Sequence, residues 1–512
     1  MIVRPSNSSS EVELKFLVSP SDVAAIRANP IFAFKTTQAQ LRTVYYDTPN
    51  WDLRESGVSL RVRHKEGVFT QTVKSAAGLS LFDRDQWESE IKGKSPDRSA
   101  WAGTPVANIL STHGVRALRP VFRTTVQRTV RLLNEGVSVV EASFDRGELA
   151  AGKLREPIEE VELELKSGEA TALFIIARRL AAATDLRLSF DSKAERGYQL
   201  IGHNGLRPHT AQSSRIPSDI PAVEGFTRVA RSCLAQVSAN AELLRRVRNP
   251  EVLHQLRVGL RRLRAAFATF KPVLPREGLD RSKDEITWLG GELDPARNLD
   301  VFIENTFHSA KPEAHGDAML AAFDRRLLRA QAKAYDRALA ALASNRFAML
   351  LLNCAEWVET GPLRQDDARV GARLRDDGAS VLAAHALKRF RHKLHKRARY
   401  LATLDPAGRH RVRIQVKTLR YAVEFFAKTF GKRTHKQRRK FIAALNVVQN
   451  TLGELNDMAM ASKTALAVVG HSAPLAFRAG QVIASSDRDE AHLVAKAVHA
   501  YKRWWNLKPF WL

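Results

Sequence analysis

The sequence predicts an α+β protein of two domains, in which an antiparallel β-sheet domain is followed by an all-α helical bundle. Three observations lead to this prediction. At 512 residues, the chain is longer than one hydrophobic core usually organises. Up to residue 204, short alternating runs are separated by turn-like pieces such as YDTPN and KGKSPD, which is typical of antiparallel strands. From residue 222 onward, apolar residues recur at helical spacing.

A linker separates the two predicted domains. The stretch GLRPHTAQSSRIPSDIP has the Pro, Ser and Thr content of a connecting segment. The charge balance also changes at this point, because residues 1–200 carry 28 Lys and Arg against 25 Asp and Glu, whereas the rest carries 53 against 29. We therefore predict a sheet domain at 1–204, a linker at 205–221 and a helical domain at 222–512.

The net charge of +27 indicates anionic partners. Charge alone does not choose among nucleic acid, polyphosphate and an acidic membrane. The sequence has no helix-turn-helix, zinc-ligand or RNA-recognition signature, so no specific nucleic acid is expected. It also has no apolar run of about eighteen residues, so no membrane segment is expected. Its 2 cysteines stand in no metal-ligand spacing, and we expect a cytoplasmic protein without a disulfide framework.

The first predicted strand, EVELKFLV, carries charges of both signs on one face. Successive side chains of an extended strand point to opposite faces, so Glu11, Glu13 and Lys15 share one side while apolar residues occupy the other. Such a face is either an ordinary solvated surface or an internal lining that holds a metal cation together with a polyanion. The other strands have to decide between the two interpretations.

Further segments also segregate charge. LRVRHK puts arginines on one face, QTVK ends on a lysine, and EVELELK gathers glutamates: Arg61, Arg63, Lys74, Glu160, Glu162 and Glu164. A solvated face normally mixes charges with Ser, Thr and Gln, so this segregation favours a binding surface. If these faces point inward, the sheet closes into a polar-lined barrel. Clustered carboxylates suit Mg²⁺ or Mn²⁺, and Arg and Lys suit phosphate oxygens.

These segments resemble the CYTH family, the triphosphate tunnel metalloenzymes. EVELK matches the family's ExExK signature, and TVYYDTPNWDLRESGVSLRVR matches its Tyr-Asp-Thr segment and Leu-Arg-x-Arg strand. QTVK, VELELKSG and SKAERGY follow in the family's order, so that the resemblance covers roughly residues 9–200. It implies a tunnel of eight antiparallel strands that hydrolyses inorganic triphosphate, or a related short triphosphate, with a divalent metal.

The resemblance also implies roles for individual residues. The metal, Mg²⁺ or Mn²⁺, would be held by Glu11, Glu13, Glu162 and Glu164. The triphosphate would be gripped by Lys15, Arg61, Arg63, Lys74, Arg123, Lys193 and Arg196. Lys15 and Glu13 are the candidate catalytic residues. The group that accepts a proton from water stays open among the metal site, Lys15 and a tunnel carboxylate.

The segment RDQWE departs from the family pattern. Gln86 stands where related sequences often carry a carboxylate, which would weaken one contact to the metal or to water. We expect Glu88 or Glu90 to compensate only if the strand shifts its register.

The predicted helical domain contains an internal repeat. HQLRVGLRRLRAAF from His254 aligns without gaps with HRVRIQVKTLRYAV from His410. On a helix each copy forms one cationic stripe opposite one apolar stripe. The cationic positions are His254, Arg257, Arg261 and Arg264 in the first copy, and His410, Arg413, Lys417 and Arg420 in the second. A single basic stripe is usually a solvated face, but the duplication favours a shared anion-binding surface.

This repeat resembles the CHAD domain, over roughly residues 220–500. LGGELDPARNLDV and LGELND resemble the acidic motifs of its two halves, although Asn298 stands where an Asp is usual. Asp300 and Asp457 would either orient neighbouring arginines or contact a ligand. The resemblance implies a helical bundle of two related halves that binds polyphosphate.

The combined expectation is a triphosphatase whose helical domain binds polyphosphate. Two alternatives stay open: a non-catalytic polyphosphate-binding scaffold, and a tunnel enzyme that acts on thiamine triphosphate or ATP. The expected partners are inorganic triphosphate and polyphosphate, without a specific nucleic acid or a membrane. Protein partners are not predicted.

Overall fold

A computed structural model of the chain describes most of its length. The described residues are 8–33, 35–75, 84–112, 118–182, 184–202, 207–211, 216–275, 278–308, 317–360, 378–484 and 489–511, with side chains left out at 8–11, 84 and 432. They form two compact units. The first comprises Met1–Pro208 and Ala343–Arg364, and the second comprises His209–Leu342 and Gln365–Leu512. The predicted domain borders stay a prediction.

The first unit is built on an antiparallel sheet. Its strands in the described residues are β1 (Ser8–Val18), β2 (Thr37–Asp47), β3 (Val58–Lys65), β4 (Val68–Ser75), β5 (Arg84–Ile91), β6 (Arg119–Glu135), β7 (Ser138–Ala151), β8 (Leu154–Ser167) and β9 (Leu186–Ser189). Their order is β5-β4-β3-β2-β6-β7-β8-β1, and β1 pairs with β5 to close the ring. On the same edge of β1, its first residues pair with β5 and its last residues pair with β9. The predicted ring of eight antiparallel strands is confirmed.

Turn residues and side-chain alternation explain this sheet. Glu66 and Gly67, between β3 and β4, both adopt positive φ (50° and 87°), which matches the two-residue turn that suits the twist of a hairpin. Leu60 and Val62 face away from the charged side of β3 and are buried with Val106 of a covering helix. At β3, apolar residues thus lie on the outer side of the ring and charged residues on its inner side.

The α-helices of the described residues follow in chain order. They are α1 (Val23–Ala28), α2 (Pro30–Ala33), α3 (Asp52–Glu55), α4 (Pro105–Thr112), α5 (Thr171–Ala181), α6 (Lys193–Ile201), α7 (Ala222–Arg246), α8 (Pro250–Phe270), α9 (Leu279–Phe302), α10 (Ala318–Leu342), α11 (Asn345–Glu359), α12 (Ala379–Ala398), α13 (Pro406–Phe425), α14 (His435–Val469), α15 (Ala473–Ala484) and α16 (Glu490–Trp505). The predicted α+β class, with a sheet unit followed by a mostly helical one, is confirmed.

Helix α11 belongs to the first unit although it lies far along the chain. It packs against α5 and β9. Arg178 of α5 donates to Asn353 (3.0 Å) and forms an ion pair with Glu356. The sequence prediction had placed this segment within the helical domain.

The second unit is a helical bundle in which α8 and α13 carry the two copies of the repeat. Both helices bury their apolar stripes: Leu256, Leu260 and Leu263 on α8, and Val412, Val416 and Leu419 on α13. α13 packs against α8, α12 and α14. In each copy of the repeat, the cationic stripe therefore faces away from the apolar core.

Membrane-spanning potential is limited in the described part of the chain. No single helix there is both long enough and apolar enough to cross a bilayer. The consecutive helices α10 and α11 pass this test only as a bent pair, by length and composition alone.

Candidate functional site

Strand register brings charged side chains together inside the ring. Lys15 of β1 lies opposite Glu162 of β8, and Glu13 lies opposite Glu164. On the other side of β8, Glu160 lies opposite Asp145 of β7. Because side chains alternate along each strand, all of these residues project to the same, inner face.

The buried centre of this face is an ion network. Glu162 accepts from Lys15 (3.1 Å) and Lys193 (3.0 Å), and also pairs with Arg128. Lys193 contacts Asp145 (2.7 Å), and Arg128 of β6 makes a bidentate pair with that carboxylate, at 2.6 Å for both bonds. Arg128 reaches Glu162 across the intervening strand β7, which shows that these side chains converge inside the ring.

The network fixes the charge of its members. Burial alone would raise the pKa of Glu162, but the surrounding cations, led by Lys193, hold that pKa well below its usual range. Burial alone would lower the pKa of Lys15, but neighbouring carboxylates, led by Glu13, raise that pKa above its usual range. Lys15 is therefore a permanent ammonium near neutral pH. The proton-acceptor role considered for Lys15 disagrees with this charge state, whereas a role in binding an anion agrees with it.

A second, cation-rich part of the inner face lies on β3 and β4. Arg61 lies 3.9 Å from Glu88. Arg63 is less well compensated: burial, together with the charge of Arg61, lowers its pKa to about 10. The buried Nε of Arg63 has no hydrogen-bond partner among the described residues. A buried guanidinium with an unused donor is suited to an anionic ligand.

Helix α6 delivers Lys193 and Arg196 to the ring. Its motif SKAERGY folds as a capping box, in which the Ser192 hydroxyl accepts from Glu195 N (3.1 Å) and Ser192 N donates back to the Glu195 carboxylate (2.6 Å). Arg196 donates to Glu156 (2.8 Å) and to Glu160 (3.0 Å). Lys193 and Arg196 therefore both contact carboxylates, among them Glu160.

The Tyr-Asp-Thr segment supports α6 from the opposite side. Asp47 is fully buried and accepts from the backbone of Thr48 (2.7 Å) and Leu53 (3.0 Å), at the start of α3. The Tyr198 hydroxyl also donates to Asp47 (2.8 Å). This segment therefore anchors the helix that carries Lys193, and it does so without contributing to the ion network.

The structure brings most, but not all, of the predicted tunnel residues together. The inner face carries Glu13, Lys15, Arg61, Arg63, Lys74, Glu162, Glu164, Lys193 and Arg196. The side chain of Glu11 lies outside the described residues. Arg123 is not at the site: it is exposed, and it lies on the outer face opposite Val44 and Ala150. Arg128, five positions later on the same strand, lies opposite Asp145 and faces inward.

Asp145, Glu141 and Arg128 were missed from the sequence. Their strands are FRTTVQRTV and EASFDRGEL. In these strands charged residues occur at both odd and even positions, so the sequence does not reveal which of them face inward. One feature of the sequence does point to Asp145, which lies between Phe144 and Arg146 within a strand. A carboxylate in a buried strand is unfavourable unless it is paired with a cation.

The expectation for Gln86 is corrected in part. Gln86, Glu88 and Glu90 lie opposite Lys74, Thr72 and Thr70 of β4, all on the inner face. No register shift is needed to bring Glu88 inward, because residues two apart on a strand share a face. Glu88 accepts from Thr72 (3.0 Å) and faces Arg61.

The inner face carries two sets of carboxylates that are candidates for binding a divalent ion. Oxygens of Asp145, Glu160 and Glu162 lie within 4.8 Å of one another. Lys193 contacts all three, so an ion placed there would have to displace its ammonium. This set therefore serves better as the anchor for cationic side chains.

The second set is the row of Glu13, Glu164 and Glu141, which lie directly opposite one another on β1, β8 and β7. Adjacent like charges destabilise a sheet unless a cation lies among them. Lys166 provides part of that charge at 2.7 Å from Glu164 and 3.6 Å from Glu141, and Lys15 lies 3.6 Å from Glu13. Hard carboxylate oxygens suit Mg²⁺ or Mn²⁺, but among the described residues only the first set brings three of them within 4.8 Å of one another, so the side chains of this row would have to move closer to share an ion.

A separate cluster of cations occupies the second unit. Burial and nearby cations, led by Arg297, lower the pKa of His254 to about 3. Burial, followed by the charge of Arg413, lowers the pKa of Lys417 to about 6. The fields of Arg261 and Arg257 act on both groups. The two helices of the repeat therefore present one joint cationic surface.

This cluster is only partly compensated by acids. Arg257 forms an ion pair with Asp294, yet burial still lowers the pKa of Arg257 to about 10. The buried Nε atoms of Arg261 and Arg413 have no hydrogen-bond partner among the described residues. Arg297 of α9 also belongs to the cluster, and it was not predicted although it lies within LGGELDPARNLDV.

Some predicted members do not join the cluster. Arg264 is exposed, and no contact with the cluster is seen for it in the described residues. His410 is exposed and bonds Asn456 (2.6 Å). Arg420 pairs with Glu424 (2.5 Å), although its charge still acts on Lys417. The copies are thus unequal, because His254 lies within the cluster and His410 at its margin.

The acidic motifs differ in role. Asp300 accepts from Gln331 (2.8 Å) and Tyr335 (3.0 Å), so it joins α9 to α10 within the bundle. The charge of Asp457 acts on Arg413. The charge of Arg297 likewise acts on Asp300, so each of the two acids interacts electrostatically with an arginine of the cluster.

Comparisons with known proteins agree with this division. The CYTH domain model matches residues 9–198, and the CHAD domain model matches residues 228–466. The chain contains a CYTH domain followed by a CHAD domain. The closed ring and its ion network lie in the CYTH domain, and the cationic cluster of α8 and α13 lies in the CHAD domain.

Individual relatives cover parts of the chain. An inorganic triphosphatase from Haemophilus influenzae is 32% identical over 197 residues, which are 37% of this chain and 54% of that protein. The CHAD domain of the plant Ricinus communis is 28% identical, with a TM-score of 0.49, and covers 57% of this chain and 96% of its own. PptA from Streptomyces chartreusis is 20% identical, with a TM-score of 0.37, and covers 56% of this chain and 99% of its own.

Proposed function

We propose that the CYTH domain hydrolyses inorganic triphosphate, or a related short triphosphate, with Mg²⁺ or Mn²⁺. The observation that carries this proposal is the closed ring, whose inner face brings the cations Arg61 and Arg63 together with a row of carboxylates. The 32% identity to an inorganic triphosphatase supports the same chemistry.

The side chains of the ring suggest how the substrate is held. Arg61, Arg63 and Lys15 would bind phosphate oxygens through charge-assisted hydrogen bonds, and the buried site would exclude water from all but the attacking position. Glu13, Glu164 and Glu141 would hold the metal, which polarises a phosphoryl oxygen when it is bound. Glu13 lies beside Lys15, and we propose it as the proton acceptor for the attacking water.

A substrate panel tests this proposal. Phosphate release would be measured from inorganic triphosphate, ATP, thiamine triphosphate and long polyphosphate, each with Mg²⁺ and with Mn²⁺. We expect the highest rate with inorganic triphosphate, and a loss of about 10²-fold or more in Glu13→Gln. A preference for ATP or thiamine triphosphate would support the alternative tunnel enzymes. No release from any substrate with either metal would support the non-catalytic scaffold.

We also propose that the CHAD domain binds polyphosphate. The buried Nε atoms of Arg261 and Arg413 and the close approach of like charges support a polyanionic ligand. A chain of phosphates would neutralise several cations of this cluster at once.

Competition separates this proposal from nonspecific charge binding. Long polyphosphate should displace duplex DNA from the protein, and Arg261→Ala should weaken polyphosphate binding by about tenfold or more. Equal or tighter DNA binding would contradict the proposal. The cytoplasmic location predicted from the sequence stays a prediction.

A further inference from the structure

One position of the cationic cluster differs chemically between the two copies of the repeat. In the alignment from His254 and His410, Arg261 of α8 corresponds to Lys417 of α13. An arginine stays charged in any protein environment, whereas a buried lysine can lose its proton. Of the pair, the second copy therefore carries the side chain that can change its charge.

The surroundings of Lys417 favour that loss. Helix α13 packs against α8, so Lys417 lies among Arg413 and Arg420 of its own helix and Arg257 and Arg261 of α8. In the part of the chain that the structure describes, Lys417 forms no ion pair with an acid, and the buried Nε atoms of Arg261 and Arg413 have no hydrogen-bond partner. His254 of α8 is also close enough to feel the charge of Lys417, but its own pKa of about 3 keeps it neutral.

The other neighbouring helices supply little compensation. From α14, the charge of Asp457 acts on Arg413. α12 packs on the opposite, apolar side of α13, where Leu387 and Leu394 share a core with Val416. Burial and these positive fields together place the pKa of Lys417 at about 6, so that its side chain is mainly a neutral amine at pH 7.5.

We infer that Lys417 is a proton-coupled binding residue: it takes up one proton from solvent when a polyanion binds to α8 and α13, and it releases that proton when the polyanion leaves. This inference rests on the proposed binding of polyphosphate. Phosphate oxygens would neutralise the arginines and offer the amine an anionic partner, so the ammonium becomes the favoured form in the complex. Deprotonation would in turn weaken the complex, because binding and protonation are reciprocally linked.

The consequence is a defined dependence of affinity on pH. Because binding requires one proton, affinity falls by about tenfold for each unit by which the pH rises above the pKa of the free site. This fall ends at the pKa of the bound site. Below pH 6 the lysine is already charged, and its contribution to the pH dependence disappears. The affinity of the CHAD domain for polyphosphate thus falls as the solution becomes alkaline.

The matched control is Lys417→Arg, which restores the arginine of the first copy and cannot titrate in this range. Binding of long-chain polyphosphate to the full chain would be measured by calorimetry at pH 6.0 to 9.0 in the presence of EDTA. At pH 7.5, two buffers with different ionisation enthalpies would report the number of protons taken up. Contributions from the phosphate chain itself and from His254 are common to both proteins and cancel in the comparison.

At pH 7.5 we expect the wild-type protein to take up nearly one more proton on binding than Lys417→Arg does. For each unit by which the pH is raised, the affinity of the wild-type protein should fall by about tenfold relative to that of Lys417→Arg. Lys417→Met should also lose the extra proton, and it should bind less tightly than wild type at pH 6. Thermal unfolding of each variant would verify that the bundle is intact, and the Met variant replaces the Arg variant if the latter is misfolded.

Equal proton uptake by wild type and by the variants would overturn the inference while leaving polyphosphate binding in place. Failure of the wild-type protein to bind polyphosphate at any pH would remove the proposed binding function, and the inference with it.

Discussion

Replacement of Arg63 by Met should separate ligand binding from stability in the ring. Arg63 lies in the inner face with an unused buried Nε, and its pKa is lowered from the ordinary value of an arginine to about 10. This difference corresponds to about 3 kcal/mol of disfavoured charge. The side chain retains partial access to solvent. Solvent screening therefore reduces the destabilisation that this charge causes in the folded state to roughly 1–2 kcal/mol.

Arg63→Met should therefore stabilise the sheet unit, since methionine fills similar space without a buried charge. A gain of this size raises the unfolding temperature of the sheet unit by roughly 2–8 °C. The same variant should lose about 10²-fold or more in kcat/KM for triphosphate, because one cation is removed from the phosphate site. Differential scanning calorimetry and a phosphate-release assay would measure the two effects.

Arg128→Met is the matched control. Arg128 is also a buried arginine of the ring, but it pairs with Asp145 and Glu162, so its loss leaves carboxylates without their cation. We expect destabilisation of roughly 3–5 kcal/mol. The reasoning would be refuted if Arg63→Met were destabilised as much as Arg128→Met, or if Arg63→Met kept full activity.

Further predictions follow from the same contacts. Arg123→Ala should keep triphosphate hydrolysis within about twofold of wild type, because the side chain is exposed on the outer face; a loss of about 10²-fold in the phosphate-release assay would place it back in the site. Tyr198→Phe removes the hydrogen bond to buried Asp47 and should destabilise the sheet unit by about 1–3 kcal/mol in thermal unfolding, with unchanged stability as the contradicting result. The pKa of Glu162 is held below its ordinary value of 4.5 in the folded state, so its ion pairs stabilise the protein above pH 4.5 and lose this contribution as the pH falls further. Unfolding followed by circular dichroism should therefore show the sheet unit weakening below pH 4.5 in wild type and less so in Glu162→Gln.

The fold was predictable because its patterns are local. Alternating strands such as β1 and β8 follow directly from side-chain period, and the two cationic helices follow from an ungapped repeat. The assignment of α11 was not predictable in this way. Its partner on α5 lies well over a hundred residues earlier in the chain, and the ion pair of Arg178 with Glu356 is a long-range contact that no local pattern encodes.

The site was less predictable, because its members are chosen by register. Arg123 and Arg128 occur in the same strand and both resemble phosphate-binding residues in sequence. They differ in parity, and only the pairing of β6 with β2 and β7 decides which one faces inward. Asp145 was missed for the same reason, since its ion-pair partners Arg128 and Lys193 come from other elements, β6 and α6.

The two domains treat buried positive charge in opposite ways. In the CYTH ring, Lys15, Lys193 and Arg128 are matched by internal carboxylates, and the pKa values of all three cations are raised. In the CHAD cluster the cations face one another, and the pKa values of Lys417 and Arg257 are lowered. A ligand of the ring must therefore compete with carboxylates already present, which favours a substrate of defined size over one held by charge alone. A ligand of the CHAD cluster instead relieves repulsion, so its affinity should depend on the number of phosphates and on pH more than on a particular geometry.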